Sequence, residues 1–142
     1  MAFKKQKSSN WWKTQGGATD LTITQAGAGT GTAVIQGNKL IIDVADVAVG
    51  DPAMTITTPI SFRILDVYAI TNASTAAVLD VNNGGNSVLG GATLTMAGDT
   101  DLIRATEIDD AEWEFTAGDD DLKIHVATAV FEGMIIMEIM PL

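Results

Sequence analysis

His125 is the only histidine of the chain, and it stands between the apolar residues Ile124 and Val126. An imidazole titrates near neutral pH, which makes it the side chain best suited to act as a general base. The chain has no cysteine, and its serines do not occupy the strand–turn–helix elbow that exposes a nucleophile. We therefore predict a structural histidine, no catalytic site and no cofactor, and we do not expect an enzyme.

Two carboxylate clusters, Asp109–Asp110 and residues 119–121, lie on either side of the segment around Trp113. If they met in space, their oxygens could bind Ca²⁺, which takes six to eight oxygen ligands. The spacing is not that of an EF-hand, because the required glycine and closing glutamate are absent from their positions. Aspartate is also a common turn residue. We interpret both clusters as solvated turns and predict no metal site.

Residues 27–32 read GAGTGT and superficially resemble a phosphate-binding loop. Such a loop needs a following lysine and the N-terminus of a helix. Neither follows here, so this segment predicts an ordinary loop.

The segments that carry these residues have a period of two. Residues 60–64, 113–115 and 122–126 alternate apolar and polar side chains, as strands with one buried face do. The phase flips between Ile64 and Leu65, which predicts a bulge or a bend. Residues 133–140 are nearly all apolar and predict a central strand covered on both faces. Further runs typical of strands are 21–24, 33–36, 39–44, 54–57, 76–81, 88–89, 92–96 and 102–106.

Turn signals such as Gly37–Asn38, Gly90–Gly91 and Gly118–Asp119 separate these runs at short intervals. Many short strands joined by glycine-rich turns predict an all-β fold, a β-sandwich, with the jelly roll as the specific expectation. A length of 142 residues suits one domain. We assign residues 1–20 to an extended N-terminal arm and residues 21–142 to the β-sandwich domain.

Charge divides the chain at the same place. Four lysines and no acid precede Asp20, whereas four basic and eighteen acidic residues follow from it onward, and +4 and −14 sum to the net charge of −10. An acidic body repels nucleic-acid phosphates, so no nucleic-acid partner is expected. No run approaches the roughly 18 apolar residues of a membrane span, so no membrane partner is expected either.

The arm also contains two of the three tryptophans of the chain. Cationic and aromatic side chains together favour contact with an acidic protein surface, either a partner or a neighbouring copy, with ordering of the arm on that partner. The alternative is that Trp11 and Trp12 cap one end of the domain's own core. The predicted partner-binding residues are Phe3, Lys4, Lys5, Lys7, Trp11, Trp12 and Lys13.

Four stretches of the body, PISFRILDVYAI (59–70), VNNGG (81–85), LIRATEIDDA (102–111) and AGDDDLKI (117–124), together resemble a known class of proteins. In strand order and turn chemistry, residues 57–140 are similar to the capsid decoration, or cement, proteins of tailed phages of the small jelly-roll type. The arm and the glycine-rich loop have no counterpart in that resemblance.

The resemblance implies a structural virion protein on the outer surface of a phage capsid. Its partner would be the major capsid protein, whose shell it would stabilise, and it would act as a homotrimer. The apolar final strand agrees with a trimer interface, because symmetric association hides strand edges. The alternative function is a receptor- or carbohydrate-binding β-sandwich module of a tail fibre or spike, for which Trp113 and Tyr68 are the candidate exposed aromatics.

Overall fold

The computed structural model describes residues 18–72, 76–97 and 102–142, and these residues form twelve strands and no helix. The strands are β1 (Ala18–Gln25), β2 (Thr30–Gln36), β3 (Lys39–Val47), β4 (Gly50–Thr57), β5 (Phe62–Thr71), β6 (Val78–Asn83), β7 (Asn86–Ser87), β8 (Leu94–Thr95), β9 (Leu102–Arg104), β10 (Glu114–Phe115), β11 (Asp121–Ala127) and β12 (Phe131–Pro141). The all-β prediction is confirmed. The first strand begins at Ala18 rather than at Leu21.

The strands form an antiparallel sandwich of two sheets joined along one side. In the first sheet β5 lies between β12 and the short strands β9 and β10, and β3 and β2 follow on the other side of β12. In the second sheet the order is β4, β11, β6, with β7 and β8 both pairing with β6. Neighbours such as β3 with β12 and β4 with β11 are far apart in sequence. The first sheet thus contains β3, β12 and β5 followed by β9 and β10, and the second contains β4, β11 and β6 followed by β7 and β8. This is the strand order of a jelly roll, as predicted.

Strand β1 belongs to both sheets. Its first half, from Ala18 to Leu21, pairs with β2, and its second half, from Thr22 to Gln25, pairs with β4. A strand that changes partner in this way carries the chain around a corner of the sandwich. The edge of the first sheet is thereby continuous with the edge of the second.

The core lies between the sheets and is built by the alternation that the sequence displays. Every second residue of β12, from Phe131 to Ile139, is buried against the inward side chains of the second sheet. Phe62 and Phe115 stack with ring centroids 5.1 Å apart and are both fully buried. Stacked rings of this kind stabilise beyond their buried area by about 0.5–1.5 kcal/mol.

The predicted phase change in β5 is a β-bulge. Glu138 of β12 pairs with Asp66 and Ile139 pairs with Ile64, so Leu65 has no partner in the ladder. Its side chain is 47% exposed, while Ile64 is fully buried. One extra residue thus moves the apolar series to the other phase without moving it out of the core.

Candidate interaction surface

The outer face of the first sheet carries a contiguous set of apolar side chains. One row of laterally paired residues crosses four strands from β2 to β5, and the next row adds two more apolar side chains beside it. All six are half-buried by their neighbours on the sheet and face away from the core. We call this set the apolar face; its residues are Val34, Ile41, Ile136, Tyr68, Met134 and Ile70.

Charged pairs border the apolar face on one side. The Nζ of Lys39 donates a hydrogen bond to Glu138 Oε1 over 2.8 Å, and Arg104 Nη2 lies 2.5 Å from Asp66 Oδ2. The hydrogen bond from Lys39 to Glu138 raises the pKa of Lys39, and that from Arg104 to Asp66 raises the pKa of Arg104. Lysine and arginine are charged at neutral pH in any case, so this border is ionic while the centre of the face is apolar.

The second sheet presents a different outer face. Threonines of β1 and β4 lie side by side there, with Thr24 paired to Thr55 and Thr22 paired to Thr57. Lys123 continues the first of these rows and Asp121 the second. A polar outer face is what an antiparallel sheet in contact with water shows. The apolar face of the first sheet is thus particular to that sheet, and contiguous apolar patches of this kind mark interaction sites.

This contrast corrects one sequence prediction. Residues 133–140 were expected to form a central strand covered on both faces, and β12 is indeed central in its sheet. Its inward residues are buried, whereas its outward residues Met134 and Ile136 are only half-buried by their neighbours on the sheet. The outward face of β12 is thus less completely covered by the described residues than its inward face.

His125 occupies the outer face of the second sheet. Its Nδ1 lies 2.8 Å from Asp51 Oδ1, and its side chain is 23% exposed. Asp80 pairs with it across the ladder, and Asp51, Asp80 and Thr93 line an open depression of about 310 Å³ beside it. The imidazole thus has a partner that orients it, in a depression open to solvent.

Replacing His125 with alanine is expected to change the free energy of unfolding by less than about 1 kcal/mol, because the site is not in the core. Replacing the adjacent core residue Ile124, or Phe62, with alanine is expected to cost about 2–5 kcal/mol through a cavity. Urea denaturation of the three variants measures the difference. If the His125 variant were the least stable of the three, a structural but peripheral role for this histidine would be wrong.

Carboxylates of the two acidic clusters form hydrogen bonds within their own turns. Within the parts of the chain that the structure describes, no group of three or more His, Asp or Glu side chains is placed to hold a metal ion. Asp109 Oδ1 accepts a hydrogen bond from the backbone N–H of Ala111, and Asp120 Oδ2 accepts one from that of Thr116. These two carboxylates stabilise the turns in which they lie.

The glycine-rich segment forms the connection from β1 to β2. Thr30 already begins β2, and no described helix follows the loop. Gly29 has a φ of +111°, and a Cβ added there would lie 2.6 Å from the carbonyl oxygen of Asp46. The glycine is required for this close approach to β3, so the loop has a packing role.

All predicted partner-binding residues of the arm lie outside the described residues. Of the two candidate aromatics, Trp113 has its ring under the guanidinium of Arg63, whose Cζ is 4.7 Å from the ring centroid. Tyr68 lies instead in the apolar face. There it lines an open depression of about 300 Å³ together with Asp66, Leu102, Arg104 and Glu138.

Sequence reasoning missed the apolar face, although a signal was present. Residues 40–42, 34–35 and 134–137 are continuous apolar runs in strands that otherwise alternate. A strand with one solvent-exposed face needs apolar residues only at its inward positions, not at its outward positions as well. Three such runs in strands that are laterally adjacent are what produces the face.

Among the described residues, no helix is long and apolar enough to span a bilayer. No protein-family model matches the chain. The search of curated proteins finds no match either. Among solved structures the chain is similar to one described as "CBM4 structure and function", with 12% sequence identity and a TM-score of 0.36 over 86% of each chain. A likeness at this level leaves the function of the chain to be argued from its own residues.

Proposed function

We propose that the chain is a structural virion protein that binds the outside of a phage capsid and stabilises the shell of its major capsid protein. The observation that carries this proposal is the apolar face, with its ionic border, on a chain of net charge −10. A charge of this size favours solubility, while a contiguous apolar surface is suited to protein contact. A jelly-roll-like fold, which the described strands form, is what the resemblance implies for a protein with this role.

The physical task of such a protein is to add contact area between capsid subunits. A rigid jelly roll suits it, because a packed sandwich transmits force without rearranging its core. When several copies of the protein are linked, each further contact with the shell forms at high effective concentration. The linked unit therefore binds the shell more tightly than one copy does. This is the reason to expect an assembled unit and not a single subunit on the shell.

We expect the full chain to be a homotrimer at micromolar concentration. Association would cover apolar surface that a monomer leaves exposed, and it would protect the short edge strands β9 and β10. Multi-angle light scattering gives the mass directly, to be compared with 14.9 kDa for one chain. A monomer mass, both free and after release from shells, would contradict this prediction.

Co-sedimentation tests the proposed function itself. Full-length protein is added to undecorated shells, and the pelleted amount is measured against concentration. We expect saturable binding and an increase in the melting temperature of the shell. Because the chain is acidic, a second acidic protein of similar size serves as the control for nonspecific pelleting. Binding that does not saturate, or that leaves shell melting unchanged, would contradict a cementing role.

One observation favours a second candidate, a carbohydrate-binding module. Tyr68 presents an aromatic ring on a sheet face, and Asp66, Arg104 and Glu138 place hydrogen-bonding groups around it. Aromatic rings flanked by polar side chains can stack on a sugar and fix its orientation. A glycan array tests this, with Tyr68→Ala as the site variant. Trp113→Ala is the matched control, because that ring already contacts Arg63.

A further inference from the structure

We infer that the apolar face is the docking surface for the N-terminal segment of a neighbouring copy of this chain, with Trp11 and Trp12 lying on it. This deepens the proposed function by naming the partner of the arm. The test uses no shell, so it can fail separately from shell binding. Three properties of the described residues lead to this occupant: the charge around the face, the chemistry of its centre and the position of Ala18.

Charge disfavours a second copy of the same face and favours the arm. Around the apolar face stand two cationic and four acidic side chains, a balance of −2, and two such faces would repel each other. Residues 1–17 carry four lysines and no acid. The segment therefore matches the face in charge as well as in polarity. The border residues are Lys39, Arg104, Asp20, Asp43, Asp66 and Glu138.

The centre of the face suits tryptophan. It consists of the outward side chains of Val34, Ile41, Ile136 and Tyr68, which lie in one row across four strands. An indole is flat and rigid, and each one can bury about 150–250 Å² with little loss of side-chain freedom. Lysines on either side of the two indoles can lay their aliphatic stems on apolar surface and direct their ammonium groups to the acidic border.

The position of Ala18 decides between the chain's own arm and a neighbour's. Ala18 pairs with Gln36 at the end of the sheet, and the apolar row begins two residues further along β1, beside Asp20. A segment that continued the direction of β1 backwards from Ala18 would lie beyond the end of the sheet, away from the apolar row. To lie on its own face, it would have to reverse direction before β1.

Distance makes that path hard to follow. Tyr68 is four strand spacings from β1 and two residues along it, or about 20 Å from Ala18. Trp12 is six residues from Ala18, and six fully extended residues span at most about 20–22 Å. The chain's own arm would thus reach the far half of the face only when fully extended. The arm of a neighbour has no such limit, so the neighbour's arm is the occupant that covers the whole face.

Cross-linking in the full-length protein tests the inference, because the chain has no cysteine of its own. Single-cysteine variants Asn10→Cys, beside the tryptophans, and Asp43→Cys, an exposed residue bordering the face, are mixed in equal amounts with different affinity tags. A short bis-maleimide then joins thiols that lie close together. The matched control replaces Asp43→Cys with Thr57→Cys, an exposed strand residue on the outer face of the second sheet.

We expect the doubly tagged product with Asp43→Cys at a yield at least tenfold above that with Thr57→Cys. Equal yields would show random collision and overturn the inference, as would the absence of product with both. The double variant Asn10→Cys/Asp43→Cys distinguishes an arm that docks on its own subunit from one that docks on a neighbour. If its main product is a cross-link within one chain, the arm lies on its own subunit, and the neighbour is excluded.

A second measurement does not depend on cross-linking. Ile136→Glu puts a carboxylate in the centre of the face, and Thr55→Glu puts one on the polar face of the second sheet. If the neighbour's arm docks on the apolar face, light scattering will show that Ile136→Glu raises the concentration for half-association at least tenfold while Thr55→Glu leaves it near that of the unmodified chain. Circular dichroism melting confirms that both variants are folded. A folded Ile136→Glu variant with unchanged mass would overturn the inference.

Discussion

Replacing Gly133 with alanine is expected to cost roughly 2–6 kcal/mol of unfolding free energy, a range that reaches higher than that of any other single substitution proposed. Gly133 lies in the central strand β12, opposite Thr71, where the pairing with β3 shifts by one residue. Its φ is +150°, and an added Cβ would collide with the carbonyl oxygen of Ile70 and lie 2.9 Å from Thr71 Cα. A Gly-only backbone conformation and a clash in the core each cost about 1–3 kcal/mol, sometimes more for the clash.

That cost is large against a total stability of about 5–15 kcal/mol. The clash is with backbone of β5, which is itself held between β12 and β9, so neither side can move away easily. We therefore expect the variant to unfold at much lower urea concentration, or to be recovered mainly as aggregate.

Gly37→Ala is the matched control. Gly37 also has a positive φ, +63°, but in the described structure an added Cβ there meets no atom within 4 Å. Only the backbone conformation is then penalised, by about 1–2 kcal/mol. Urea denaturation of the two variants separates the cost of the backbone conformation from the cost of the steric clash. Equal losses would mean that the close approach of β12 to β5 at Gly133 contributes nothing.

The positions of the strands could be predicted well, because in this chain local pattern and tertiary burial agree. The alternation around Ile124 and the phase change after Ile64 appear in the structure as a half-buried strand and as a bulge. The start of β1 was less accurate, since residues 18–20 contain no apolar alternation that would signal pairing with β2. Their place in the sheet comes from the partner strand, which a local reading does not include.

The candidate surface could be predicted only in part. Single strands show that Ile41 and Ile136 are apolar at the outward phase, but not that they lie side by side. That depends on β12 inserting between β3 and β5, a pairing between strands about 90 residues apart. The arm residues were chosen from composition, and they stay a prediction. What the fold adds is a surface whose charge and shape suit them.

Deleting residues 1–15 is expected to leave the sandwich folded and to weaken attachment to shells at least tenfold, or about 1.4 kcal/mol per subunit. The fold should survive because β1, with its pairing to β2 and β4, begins only at Ala18. Attachment should suffer because a neighbour's arm on the apolar face would hold the copies of the trimer together. A trimer would then lose three linked contacts together. The affinity of the trimer for shells can therefore fall by a further factor of about 10² or more beyond the tenfold loss expected for one subunit.

Point variants show which side chains carry that loss. Trp11→Ala/Trp12→Ala should reproduce most of it, since desolvated aromatic residues dominate the energy of protein interfaces. Changing the four lysines to glutamine should have a smaller effect that is greatest at low salt, because exposed charges are screened beyond about 10 Å at 0.1 M. Circular dichroism melting and co-sedimentation are measured on the same samples. A truncated protein that no longer melts cooperatively would place the tryptophans in the domain's own core, and one that binds shells as before would show that the arm has no part in attachment.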